Sequence, residues 1–353
     1  MRKSLIIASA LTITGLAAAM LVPTKPAFAA DLTIVSYGGA AQAAARKTIY
    51  EPFSKVTGIT FSEDEYNGEI AKIRAMVQSG TVSWDVVEIG EQSALSMCAE
   101  DIIETIDWRK LSIGRDKFIG GNAPDCGVPT FSGSTIIAFD KDKLANGPKI
   151  IADLFDTRKF PGKRGLAKRP WDNLEWALIA DGVAINDVYK VLRTSQGVDR
   201  AFEKLDTIKK DVVWWVAGAQ PPQLLADGQV VMTSSYNGRI ADANKNSGKH
   251  FAIVWDAQAF SRTVWIIPKG SAHRENAYKF LDFASSPQVQ ANLPNYISYG
   301  PTNKEAMALV NPASLANLPT APENMGNTLF SDAAFWSERR DELTQRFTAW
   351  LAK

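Results

Sequence analysis

The chain has 353 residues, of which 46% are hydrophobic and 22% charged, with 39 Lys+Arg against 38 Asp+Glu and only two His and two Cys. A balance so close to neutral gives no electrostatic footprint for nucleic acid or an anionic membrane surface, and two His are a poor supply for acid–base chemistry. The length exceeds one ordinary core and points to two domains or lobes.

Residues 1–29 open with Arg2 and Lys3, continue as an apolar stretch from Leu5 to Val22, and end in Ala27-Phe28-Ala29, a small-x-small cleavage pattern. They read as a signal peptide cut after Ala29 rather than a membrane anchor, because Ser9, Thr12, Thr14 and Gly15 dilute the stretch. No Cys near the cleavage point suggests a lipid anchor. Cleavage removes Arg2, Lys3 and Lys25 and no acid, leaving 36 basic against 38 acidic residues. An exported chain meets an oxidising compartment, so Cys98 and Cys126 are expected to form a disulfide, the alternative being two buried free thiols. A zinc site is not expected, since Cys-x-x-Cys is absent and His250 and His273 lie far from both cysteines.

From Asp31 onward strands and helices alternate. The pattern predicts a strand at 32–35, an Ala-rich helix from Ala40 to about Val56 that Pro52 kinks or splits, and a strand at 59–61. A helix with Ile70, Ile73 and Val77 on one face and a strand at 84–89 follow, then an apolar run at 135–139 beyond the cysteine region. A second set begins after Phe160-Pro161-Gly162-Lys163-Arg164-Gly165: a strand, a helix from Asn173 to Asp181, and a helix with Val198, Phe202, Leu205 and Ile208 in register. Strands are expected at 212–216, 230–232, 253–255 and 263–267. Helices carrying Ala277, Phe280, Leu281 and Ala284, and then Leu343, Phe347, Trp350 and Leu351, close the pattern. Such alternation argues for a mostly parallel sheet covered by helices, written as two α/β units.

No nucleophile elbow, Walker loop, dinucleotide fingerprint or His-Glu-x-x-His motif is present. A hydrolase using two carboxylates needs no such motif, but no spacing picks out a pair. The chain instead supplies aromatic rings and arginines at segment ends, where open α/β sheets bind ligands. The run Val230-Val231-Met232 ends in Thr233-Ser234-Ser235-Tyr236-Asn237-Gly238-Arg239, whose Asn-Gly is expected to turn the chain and bring a ring and a fixed positive charge to a sheet rim. Tyr37 follows the first strand, with Gly38-Gly39 opening a helix whose N–H groups can face an anion. Glu91 follows the strand ending at Ile89. In Lys168-Arg169-Pro170-Trp171-Asp172-Asn173 two cations, a ring and an acid precede a helix; Arg169 and Asp172 either serve a ligand or are a solvated cation and an N-cap. Arg262 and Arg239 each offer a planar fork to a carboxylate, whereas Trp214-Trp215 reads as core.

Taken together, Glu51-Pro52-Phe53-x-x-x-Thr57-Gly58, Trp84-Asp85-Val86-Val87, Phe160-Pro161-Gly162-Lys163-Arg164-Gly165, Met232-x-x-x-Tyr236-Asn237-Gly238 and Tyr299-x-Pro301-Thr302-Asn303 make the chain resemble a bacterial periplasmic solute-binding protein of an ABC importer, in the spermidine/putrescine-binding branch. The resemblance covers nearly the whole mature chain. It implies the two-lobed type II periplasmic-binding-protein fold, with a ligand cleft between lobes joined by a hinge: lobe 1 at 30–133 and 264–308, lobe 2 at 134–263 and 309–353. It also implies a periplasmic location, a small organic ligand, permease subunits in the inner membrane as partners, a monomer, and no cofactor, metal or catalysis.

Residue by residue, Tyr37 and Tyr236 fall where the family has Trp, and Tyr299 where it has Tyr. Arg169 and Asp172 stand where an acidic pair is expected, Thr263 where an Asp is expected, and Arg262 just before it. A cleft so changed should repel a diamine and accept a solute with at least one carboxylate, such as γ-aminobutyrate or a small dicarboxylate. Arg239 or Arg262 would hold the carboxylate, and Asp172 or Glu91 an ammonium. True polyamine binding is the alternative; a carboxylate-dependent secreted enzyme or a sensor subunit fits less well.

Overall fold

The computed structural model describes residues 30–66, 68 and 70–353, so the signal peptide expected at 1–29 lies outside the described residues. Ten strands are described: β1 (Leu32–Ser36), β2 (Phe61–Glu65), β3 (Val86–Gly90), β4 (Val128–Asp140), β5 (Arg164–Ala167), β6 (Val212–Trp215), β7 (Met232–Tyr236), β8 (Phe251–Ile266), β9 (Gly300–Pro301) and β10 (Thr328–Phe330). They join into one sheet in the order β2-β1-β3-β8-β4-β7-β5-β6, with β10 on β8 and β9 on β4. Pairing is parallel at both ends, β1 with β2 and β3, and β5 with β6 and β7. It is antiparallel through the centre, where β8 meets β3 and β4, and β4 meets β7. The sheet is therefore mixed rather than mostly parallel, because the two long central strands carry the chain between its ends.

Each end has its own apolar core. One set, including Ile34, Phe53, Trp265 and Phe280 with Val87 and Ile89 on the opposite face, draws on residues before 129 and from 264 to 289. The other, including Leu166, Trp176, Phe202 and Phe347 with Ile136 and Ile240 across the sheet, draws on residues from 136 to 259 and on the C-terminal helix Ala333–Leu351. Between them β4 and β8 pass side by side with register shifts at Pro129/Ser132 and Thr135/Ile137, and Ala257 takes a positive φ of 52°.

Several boundaries differ from the sequence pattern for physical reasons. The predicted strand at 59–61 lies at 61–65: Gly58 ends the preceding helix at φ 74°, and the edge strand is held by backbone pairing, so Ser62-Glu63-Asp64-Glu65 needs no apolar alternation. The helix before it runs through 39–57, with a wider π-type turn at Arg46–Tyr50 just before Pro52, whose missing N–H cannot continue an ordinary ladder. The strands expected at 253–255 and 263–267 are one strand, β8. Loops supply partners for its intervening polar residues: buried Gln258 donates to the carbonyls of Pro319 (3.0 Å) and Asn324 (2.7 Å).

The largest correction concerns the stretch ending in Arg239. The strand is not 230–232 but Met232–Tyr236, and Asn237 starts the helix Asn237–Ser247 instead of a turn. The hydroxyls are strand interior: Thr233 donates to the Gly165 carbonyl (3.1 Å), and Ser234 accepts from the Trp215 indole (3.1 Å). Asn237 is fully buried and acts as a strut, accepting from Ser134 N–H (3.1 Å) and donating to the carbonyls of Ser298 (2.5 Å) and Asn317 (3.1 Å).

Candidate ligand-binding cleft

A cleft of about 840 Å³ opens where the two ends of the sheet meet, and Tyr37, Glu91, Arg169, Asp172, Tyr236, Arg239, Arg262 and Tyr299 all line it. Most arrive at the C-terminal ends of parallel strands: Tyr37 after β1, Glu91 after β3, Arg169 and Asp172 after β5, and Tyr236 with Arg239 at the end of β7. That placement follows from topology, since crossovers leave these ends open to a crevice.

The rings are fixed from behind. Tyr37 is 42% exposed and accepts the Gly90 N–H (2.9 Å) through its hydroxyl while stacking on Tyr66 at 5.2 Å. Tyr299 stacks on Phe131, ring centroids 5.1 Å apart and 2° from parallel. Gly218 and Gly238 leave no room for a side chain: a Cβ would lie 2.9 Å from the Tyr236 ring at the first and 2.9 Å from the Tyr299 ring at the second. At Gly38 the close neighbour is the Glu65 carboxylate, so that glycine serves a protein contact and not an open helix terminus.

Arg262 and Glu91 form a closed unit. Arg262 Nε and Nη2 donate to the two Glu91 oxygens at 2.8 and 2.5 Å, and its remaining N–H groups reach the carbonyls of Ile119 (3.1 Å), Gly121 (2.8 Å) and Asn122 (3.3 Å). All five donors of the guanidinium are thereby engaged, which leaves neither Arg262 a fork for a ligand carboxylate nor Glu91 a free charge for an ammonium. The Cys98–Cys126 disulfide, Cα atoms 5.8 Å apart, ties the helix Glu91–Ala99 to the strand that follows the loop of those carbonyls.

Arg169 and Asp172 form an open unit. Arg169 Nη2 donates to Asp172 Oδ2 (2.6 Å) and, at 3.4 Å, to the Thr135 hydroxyl, and Nη1 donates to the Tyr236 hydroxyl (2.7 Å), while its buried Nε has no partner among the described residues. The guanidinium lies 5.0, 5.8 and 5.5 Å from the ring centroids of Trp171, Trp215 and Tyr236. Burial works against its charge, but Asp172 and the Tyr236 hydroxyl outweigh that and hold it above its ordinary value. The N-cap reading of this stretch is corrected: Asp172 makes no side-chain cap, sits at φ 69°, and spends its carboxylate on a buried Arg169. A left-handed non-glycine costs about 1–3 kcal/mol and persists where the surroundings fix it. Trp215 is buried as expected of core, yet it forms the floor beneath Arg169 and Tyr236.

Arg239 lines the cleft on the first turn of its helix, exposed and in no ion pair among the described residues. Sequence reasoning missed five further charged residues that line the cleft, Glu88, Asp242, Lys245, Asp332 and Arg340. Arg340, on the C-terminal helix, lies 4.5 Å over the Trp171 ring, on which Arg169 also lies, and burial followed by the like charge of Arg169 pulls it below its ordinary value. Glu88, in β3, is 2% exposed and lines the cleft; burial raises its carboxyl to about 8. Both break an apolar pattern: Arg340 falls in the row Trp336, Leu343, Phe347, Trp350, and Glu88 lies between Val87 and Ile89. His250 and His273 stand outside the cleft, with Nδ1 atoms 2.9 Å from Asp142 and 3.1 Å from Asp85.

Fold and cleft together define a two-ended α/β protein of the solute-binding class, with an open cleft at the crossing of β4 and β8. The family model described as "Bacterial extracellular solute-binding protein" matches residues 48–323, and the chain belongs to that family. A gamma-aminobutyric acid-binding protein of Pseudomonas aeruginosa is 44% identical over 345 residues, 98% of this chain and 97% of the relative. A putrescine/agmatine-binding protein of the same organism is 23% identical over 282 residues, 73% of this chain and 75% of the relative. Among solved structures, a GABA receptor superposes with a TM-score of 0.81 at 34% identity, over 92% of this chain and 98% of its own. Among the described residues no helix is long and apolar enough to cross a membrane.

Proposed function

We propose that this chain captures a short zwitterionic amino acid of the γ-aminobutyrate type and delivers it to ABC permease subunits in the inner membrane. The observation that carries the reading is the charge left over in the cleft. Glu91 and Asp172 are each spent on an arginine and Asp332 on Arg193, whereas Arg239, Lys245 and Arg340 have no ion-pair partner among the described residues; the acids left to a ligand are the buried Glu88 and the exposed Asp242. A diamine would meet guanidinium at one of its two ends, where a ligand carboxylate instead meets the cation it needs. The likeness to γ-aminobutyrate-binding relatives supports the same reading. A small dicarboxylate is the weaker reading, because Arg262 offers it no second fork.

In this reading residues 30–133 with 264–308 and residues 134–263 with 309–353 are the two lobes, and the β4/β8 crossing is the hinge. Contacts available only when both lobes reach the ligand shift the population toward the closed form. The chain works in the periplasm as a monomer after removal of residues 1–29, performs no chemistry and takes no nucleic acid as partner. Calorimetry against γ-aminobutyrate, succinate and putrescine tests it. γ-Aminobutyrate should bind tightest and putrescine weakest, and γ-aminobutyrate should be recovered unchanged after incubation; submicromolar putrescine affinity without carboxylate binding would overturn the reading.

A further inference from the structure

If the ligand carries an ammonium, some acid must receive it, and five acids line the cleft: Glu88, Glu91, Asp172, Asp242 and Asp332. Glu91 and Asp172 are committed to Arg262 and Arg169. Asp332 caps the C-terminal helix through Phe335 N–H (2.9 Å) and meets Arg193 at 3.1 Å. Asp242 is exposed on a helix and accepts from Asn246 at 2.6 Å. Glu88 differs from all four: it is buried, and its Oε1 has no hydrogen-bond partner among the described residues.

The groups that face Glu88 come from every element packed around β3. Tyr66 after β2 donates its hydroxyl to the Glu88 carbonyl (2.6 Å), and burial of the hydroxyls, with the Glu88 charge a smaller contribution, holds Tyr37 after β1, Tyr50 from the first helical run, Tyr66 and Tyr299 before β9 above the ordinary value. From β8 come the Thr263 hydroxyl, which favours the charged carboxylate, and Arg262, whose donors are engaged elsewhere. No cation among the described residues pairs with Glu88. An acid in such a place stays neutral until a positive charge arrives.

We infer that the Glu88 carboxylate is the seat of the ligand's ammonium group. The inference rests on the amino-acid reading above and adds the residue that selects for the amine. The ligand then lies along the tyrosines with its ammonium at Glu88 on one wall and its carboxylate toward Arg169 on the other. Tyr37, Glu88, Arg169, Tyr236 and Tyr299 all line the one cleft, so a single small ligand can face both walls. As the ammonium docks, the Glu88 O–H bond breaks, its proton leaves for solvent, and the ammonium keeps its own. Binding that releases a proton strengthens as pH rises until Glu88 is already ionised in the free protein, near 8.

Calorimetry with γ-aminobutyrate in buffers of different ionisation enthalpy should show about one proton released per ligand at neutral pH, fading above about pH 8, with affinity rising about tenfold per pH unit below that. Butyrate, which lacks the amine, should bind without releasing a proton. Glu88→Gln should weaken γ-aminobutyrate about 100-fold, abolish the release and leave butyrate unchanged within about threefold. γ-Aminobutyrate bound by the wild-type protein with no proton release, or bound equally well by Glu88→Gln, overturns the inference and leaves the amino-acid reading standing. A wild-type protein that does not bind γ-aminobutyrate overturns both. Should Glu88→Gln not fold, the wild-type buffer series with the two ligands decides.

Discussion

Two arginine–carboxylate pairs line the same cleft, and they are built for different work. Arg262 meets Glu91 and three carbonyls, so every donor is matched and the pair is wedged between β8, a helix start and a loop. Arg169 meets Asp172, Tyr236 and, more distantly, Thr135, lies against three rings, and has no partner for Nε among the described residues. The difference shows that an arginine's place in a cleft says little about its availability; the count of acceptors already around it says more. A saturated guanidinium holds protein together, whereas one with donors and a π-floor can still take a ligand anion.

Glu91→Ala should produce the largest effect. It leaves Arg262 buried without its countercharge, which costs about 3–5 kcal/mol of folding stability, measured as a fall in the urea midpoint at unchanged slope. If the pair belonged to the ligand instead, the midpoint would hold and affinity would collapse. Arg169→Met differs by striking affinity as well as stability: it strands the Asp172 carboxylate, and ligand affinity should also fall by about 2–5 kcal/mol, as for removing one side of a buried charge contact, measured by calorimetry. A loss confined to stability would place Arg169 with Arg262 as a structural residue.

The contrast also marks what the sequence could tell. Strand-end residues such as Tyr37 and Tyr236 were legible because strand patterns locate the rim of the sheet, and they line one cleft with the other candidates, including Tyr299, which only the family resemblance had pointed to. Acceptor counting was not legible: the carbonyls of Ile119, Gly121 and Asn122 that saturate Arg262 come from a loop 140 residues away in the chain, with no pattern of its own. Likewise β8 read as two strands because the partners of Gln258 lie beyond residue 318. Glu88 and Arg340 left a signal, a charge inside an apolar row, but such a charge reads as an interruption until the fold shows what it faces. The hydroxyl run of β7 misled in the opposite sense, since buried Ser and Thr in a central strand look like a strand's end.

Arg239 supplies the finest test of the comparison, because it has neither countercharge nor burial. In the sequence it shared with Arg262 the expectation of holding a carboxylate, yet it is exposed on the first turn of its helix, and the Arg169 guanidinium lies deeper in the same wall. An exposed charge acts through solvent, where an ion pair contributes about 0–1 kcal/mol. Arg239→Ala should therefore weaken γ-aminobutyrate by about 1 kcal/mol or less and slow its association chiefly at low ionic strength, followed by stopped-flow fluorescence across a salt series. A loss as large as that of Arg169→Met, insensitive to salt, would mean that Arg239 is drawn under cover as the cleft closes, and that the ligand carboxylate is shared between an arginine fixed in the wall and one that folds over it.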